Sequence, residues 1–164
     1  MLIDQPFTYF KGKRKNKKTI YPDIAVIKGD TIVNLFDLKM DLGFHRKFYP
    51  FCKEKQTLVE NIRDLPVNIK NKEETKEQKS DNKTYNISRT IKYNIVIVSN
   101  QNISKKQKQK NEKAIENRLD KNKVEIFILT DIHPNKDSGK SIPNIILRKE
   151  DFIKLEKEIK RNVK

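Results

Sequence analysis

The chain has 164 residues, 35% hydrophobic and 36% charged, with a formal net charge of +15 from 37 Lys and Arg against 22 Asp and Glu. That length suits one domain with a real core, and the apolar residues cluster into strand-like runs, which speaks against disorder throughout. A single cysteine, Cys52, excludes an internal disulfide and any Cys-based zinc site, and its aromatic setting fits a buried structural thiol. No apolar run is long enough to span a bilayer and no basic-then-apolar leader opens the chain, so the expected location is cytoplasmic, with no membrane partner.

Such a positive charge favours polyanions, which it steers in and from which it releases counterions. An excess of Lys over Arg with abundant Asn and Ile is also what an AT-rich coding sequence yields. Charge gains weight only beside a motif.

In chain order, residues 6–10 form an apolar and aromatic stretch that reads as a first, edge strand. Residues 11–18 are a basic run, either a solvated loop or a phosphate contact. Residues 19–27 and 31–39 read as two strands joined around Lys28-Gly29-Asp30, a hairpin signal. Asp23 lies in the first strand, Asp37 and Lys39 in the second. Side chains alternate along a strand, so Asp37 and Lys39 point the same way.

Loop parity decides whether Asp23 joins them. Opposed residues in a hairpin share a face. A regular two-residue turn at Gly29-Asp30 would pair Asp23 with Phe36 and split the acids across the sheet. A three-residue turn, or a bulge, would bring Asp23 and Asp37 to one face.

An exit loop is expected over residues 40–44, then a helix over 48–65 with Phe51, Leu58, Val59, Ile62 and Leu65 as its apolar side and Pro50 in its first turn. Residues 66–88, rich in Lys, Glu, Asn and Gln, read as a flexible insertion within a single domain over 1–164. Residues 91–99 read as a buried strand, 104–122 as a polar helix capped by Ser104, and 124–129 as another strand. Strand, helix, strand suggests a right-handed parallel βαβ unit. A last amphipathic helix is expected from about 149 to 161, with Phe152, Ile153, Leu155 and Ile159 as its apolar side.

Two carboxylates with an adjacent ammonium can hold a hard divalent cation and a water. Mg²⁺ (or Mn²⁺) binds through a few carboxylates while retaining waters, and it assists phosphodiester hydrolysis. Asp23 and Asp37 supply oxygen ligands and the Leu38 carbonyl another. Lys39 can orient or help deprotonate the attacking water, or stabilise charge on the transition state. The plain structural alternative makes Asp23 a strand-end hydrogen-bonding residue and Asp37 and Lys39 a surface ion pair on an edge strand.

Pro22-Asp23, then Asp37-Leu38-Lys39 after thirteen intervening residues, resembles the PD-(D/E)xK nuclease superfamily. The resemblance covers the hairpin and, in order of elements, most of the chain. It implies an α/β, restriction-endonuclease-like fold: a mixed central sheet, with a β-hairpin plus parallel strands, flanked by helices. It implies metal binding by Asp23 and Asp37, water assistance by Lys39, and a 5′-phosphate product. Some members carry a glutamine on the helix after the lysine, and Gln56 lies in the matching region. The departure is an acid: members often place a glutamate on a helix before the first core strand, and here only Asp4 precedes the basic run.

The leading expectation is a Mg²⁺-dependent nuclease, acting on DNA more readily than RNA, with weak contacts from Lys13, Arg14, Lys15, Arg46 and Gln56. A homodimer or partner subunit could supply the absent acid. The alternative is a catalytically weak or inactive nuclease-like nucleic-acid-binding or assembly subunit. Three further motifs carry less. Asp131 and His133 read as solvated or capping loop residues, and His45 as a surface residue. Ser138-Gly139-Lys140-Ser141 lacks the earlier glycine of a phosphate loop.

Overall fold

The computed structural model describes residues 1–10, 16–41, 48–69, 83–99, 104–133 and 144–163. In chain order they form β1 (Leu2–Ile3), β2 (Phe7–Phe10), β3 (Lys17–Ile20), β4 (Ile24–Lys28), β5 (Thr31–Asp41), α1 (Phe48–Ile62), β6 (Pro66–Ile69), β7 (Lys83–Ser99), α2 (Lys105–Arg118), β8 (Val124–His133), β9 (Asn144–Leu147) and α3 (Lys149–Val163).

The long strand β7 organises the rest. β5 runs parallel to it on one side. On the other side its first residues pair antiparallel with β6, and Tyr93 to Ser99 pair parallel with β8. The main path is β1-β4-β5-β7-β6-β2-β3, with β8 and β9 branching from β7. The protein is therefore mixed α/β, an open mixed sheet flanked by three helices among the described residues. No helix among them is long and apolar enough to cross a membrane.

Each face of the sheet has its own core. Leu35, Tyr93, Ile95 and Ile97 pack with Phe48, Cys52, Val59 and Ile62 of α1 and with Leu119 after α2. Val26, Phe36, Val96 and Phe127 form the opposite core, with Leu155 of α3. Alternation along β5 thus sends Leu35 and Asp37 towards α1 and Asn34 and Phe36 towards α3.

The hairpin has the two-residue turn that would separate the acids, and also the bulge that reunites them. Lys28 pairs with Thr31 and Ile27 with Ile32; the register then shifts, and Val26 pairs with Asn34, Ala25 with Leu35 and Ile24 with Phe36. Val33 is the extra residue. The next step of the ladder sets Asp23 against Asp37. The same point breaks the β5–β7 register, where Ile32 pairs with Ile87 and Asn34 with Lys92. Gly29 takes φ +60 at the first turn position, which glycine adopts without the penalty of a Cβ.

Several expectations are corrected. Residues 19–27 are not one strand: β3 pairs with β2, and β4 pairs with β1 and β5. The break falls at Tyr21-Pro22-Asp23, where proline has no N–H for a ladder. Residues 66–88 are not insertion throughout. β6 and the start of β7 pair there, burying Val67, Ile69, Tyr85 and Ile87, an alternation of apolar residues within the polar stretch. β5 continues to Asp41 through part of the expected exit loop, and β9 was not foreseen. The last helix turns its Leu155 and Glu158 inward and leaves Phe152, Ile153 and Ile159 exposed. Glu158 accepts from Asn34 Nδ2 at 3.1 Å, so a buried polar contact shares the inward side of α3 with Leu155.

Candidate active site

Asp37 lies near the C-terminal end of β5, where ligands tend to bind in open α/β sheets. It is 3% exposed. β5 lies between β4 and β7, so Asp37 is not the surface residue of an edge strand that the plain alternative required. The Tyr93 hydroxyl donates to Asp37 Oδ1 at 2.6 Å. The Lys55 ammonium lies 3.0 Å from Asp37 Oδ2 and donates to the Tyr93 hydroxyl, also at 3.0 Å. The Lys39 ammonium lies 3.7 Å from the same Asp37 oxygen.

Asp23 reaches the group from the neighbouring strand end. Its Oδ2 accepts the backbone N–H of Leu38 at 2.5 Å. This is the strand-end hydrogen bond of the plain alternative, and it also fixes the carboxylate beside Asp37. The Val33 bulge thus sets the backbone of Asp23 opposite that of Asp37, and the Asp23 carboxylate reaches the Leu38 N–H between Asp37 and Lys39.

Aromatic rings set the electrostatics. Lys55 sits over Tyr93 at 4.6 Å and over Phe51 at 5.1 Å, and Lys39 over Phe51 at 5.7 Å. Burial, reinforced by the Asp37 charge, holds the Tyr93 hydroxyl well above the usual tyrosine range. Tyr93 therefore stays a hydrogen-bond donor to Asp37.

Lys55 and Tyr93 escaped the sequence reading. A signal for Lys55 existed: Phe48, Cys52, Val59 and Ile62 are buried on α1, and position 55 falls on that same 3–4 spacing. Tyr93 lies in an apolar strand and looked like ordinary core.

Other candidates fall elsewhere. Gln56 is buried, its Oε1 accepting the Asp120 N–H at 2.9 Å and its Nε2 lying 3.4 Å from Glu60, so it ties α1 to the turn before β8 and offers no nucleic-acid contact. Asp131 pairs with Lys108 at 2.9 Å, holding β8 to α2 rather than lining a site. Lys13, Arg14, Lys15, His45, Arg46 and residues 138–141 lie outside the described residues, as does the His133 side chain.

The oxygen donors suit a hard cation such as Mg²⁺, which commonly uses one or two carboxylates and keeps its waters. Asp4 follows in the same row. Its N–H donates to the Asp23 carbonyl at 2.9 Å, and the β1–β4 ladder sets it next to Asp23. No three His, Cys, Asp or Glu side chains among the described residues gather closely enough to hold a metal by themselves.

No family model, curated protein or solved structure matches this chain.

Proposed function

We propose that this protein is a Mg²⁺- or Mn²⁺-dependent nuclease of the PD-(D/E)xK type that hydrolyses phosphodiester bonds of DNA. The observation that carries the reading is the meeting of Asp23 and Asp37 at one strand end, with two lysines on the second carboxylate. The order hairpin, helix, parallel strand, helix, parallel strand supports a restriction-endonuclease-like sheet.

Asp23, Asp37 and the Leu38 carbonyl would hold the cation, which would withdraw charge from the phosphate and activate water. Tyr93 and Lys55 hold the Asp37 carboxylate in a fixed direction. Lys39, half-buried and farther from Asp37 than Lys55, directs the attacking water and stabilises charge on the phosphate oxygens. Water adds to phosphorus and the bond to the 3′ oxygen breaks, leaving a 5′-phosphate and a 3′-hydroxyl.

A second reading has its own observation. Both Asp37 oxygens already take contacts from Tyr93 and Lys55, and no third acidic ligand joins them among the described residues. In that reading the chain is a weakly active or inactive nuclease-like subunit that binds nucleic acid, or it receives a ligand from a second copy or a partner.

Cutting of plasmid and single-stranded DNA in Mg²⁺ or Mn²⁺ separates the two. The nuclease reading expects wild-type cleavage that chelation stops and that Asp23→Asn and Lys39→Ala each reduce at least about 100-fold. DNA binding without cutting, with and without candidate partners, would favour the second reading.

A further inference from the structure

A groove of ≈670 Å³ runs between the β2–β3 hairpin and α1. Lys18, Lys53 and Lys55 line it against one acid, Glu54, and the Tyr21 ring stands at its wall. The lysines give the groove a positive lining. Tyr21 is 72% exposed, although aromatic rings are usually covered. One lysine belongs to both places: Lys55 lines the groove and also lies 3.0 Å from Asp37. Tyr21 in turn precedes Asp23 by two residues. Lys55 and the Tyr21–Asp23 segment thus connect the groove with the two carboxylates, which do not themselves line it.

We infer that this groove binds a single strand of DNA and leads it to Asp23 and Asp37, an inference that rests on the nuclease reading of that site. Exposed aromatic rings flanked by lysines are how proteins hold unpaired strands: bases stack on the ring and cations follow the phosphates. A duplex keeps its base faces stacked on one another and offers none to Tyr21. The lysines bind phosphates of either form, so Tyr21 is the residue that selects the unpaired strand. Lys18 and Lys53 hold the backbone, and Lys55 sits where the strand reaches Asp37.

The test is fluorescence anisotropy in EDTA, which removes cleavage from the measurement, with a labelled thymidine dodecamer and a duplex of the same length. The single strand should bind more tightly than the duplex. Tyr21→Ala should weaken single-strand binding roughly 5- to 100-fold and leave duplex binding unchanged. Lys53→Ala should weaken binding of both and reduce the slope of log affinity against log salt by about 0.7 for the single strand. Both side chains are exposed, so unchanged thermal melting is expected and confirms folding. Single-strand binding indifferent to both substitutions, or a duplex bound as tightly as the single strand, would overturn the inference. Asp37→Asn separates the two claims. Groove effects without wild-type cleavage would remove the nuclease reading and leave the groove standing. Cleavage that ignores Tyr21 and Lys53 would remove the groove alone.

Discussion

The Lys55 ammonium sits 3.0 Å from Asp37 Oδ2, nearer than the Lys39 ammonium at 3.7 Å. The motif lysine is thus not the one that anchors the motif acid. Lys55, from α1, shares its proton donors between Asp37 and the Tyr93 hydroxyl and stacks over two rings. That division gives Lys55 the anchoring contact and leaves Lys39 in the looser one, the lysine to which the proposed function gives the water.

Removal of the two lysines should accordingly act differently. Lys55→Met keeps the stem but leaves buried Asp37 without its closest cation, and should cost roughly 3–5 kcal/mol in urea unfolding. Lys39→Ala, at a more exposed and looser pair, should cost less than about 1 kcal/mol while suppressing cleavage. Equal destabilisation by both would show that the anchoring role is shared.

The bulge at Val33 is the extra residue that lets a two-residue turn coexist with the pairs beyond it. Deleting Val33 leaves Ile27–Ile32, Val26–Asn34, Ala25–Leu35 and Ile24–Phe36 as consecutive pairs with every side chain on its present face, so it should cost only about 1 kcal/mol. Inserting one alanine between Leu35 and Phe36 instead turns Phe36 and Asp37 to the wrong faces, at a cost on the order of 3 kcal/mol or more. Thermal melting of the two variants checks this; equal loss in both would mean that the bulge matters for itself and not for parity.

How much of this was legible in the sequence follows from what each feature depends on. The hairpin, α1, the parallel strands and α3 are local patterns of alternation and 3.6-residue spacing, and they emerged close to their observed places. The Val33 bulge depends on two neighbouring strands at once, so the turn alone indicated the wrong face. The split at Pro22 was overlooked because Ile20 and Ile24 read as one apolar run. Strands β6 and β9 are short, and β6 lay inside a segment dominated by charge. At the site, Asp23, Asp37 and Lys39 carried a pattern, whereas Lys55 and Tyr93 reach Asp37 only through tertiary packing. The inward side of α3 has the same origin: it joins Leu155 to a Glu158 whose partner is Asn34 of β5, and no property of the helix sequence alone announces that partner.

Alkaline stability should report Tyr93 and Cys52. Burial pushes the Cys52 thiol from its ordinary 9.0 up to about 12, and burial with the Asp37 charge pushes Tyr93 above its ordinary 10.0. Both groups keep their proton longer in the folded state than in the unfolded chain. Their contribution is therefore intact below the unfolded values and is lost as pH rises, from about pH 9 for Cys52 and about pH 10 for Tyr93. Each group adds a fall of about 1.4 kcal/mol per pH unit while only its unfolded form ionises. Urea unfolding followed across this range should show a shallower alkaline fall in Cys52→Ala above pH 9 and in Tyr93→Phe above pH 10. An unchanged slope in both variants would contradict the sign and the assignment.

The most direct measurement is the release of 5′-phosphorylated ends from DNA as Mg²⁺ is titrated, for wild type and for Asp37→Asn, with folding of the variant checked by thermal melting. The carboxylate pair predicts ends that appear with Mg²⁺, vanish on chelation and are lost in a folded Asp37→Asn protein. Ends that form equally well without Mg²⁺, or at the wild-type rate in folded Asp37→Asn, would contradict a metal-dependent nuclease built on Asp23 and Asp37.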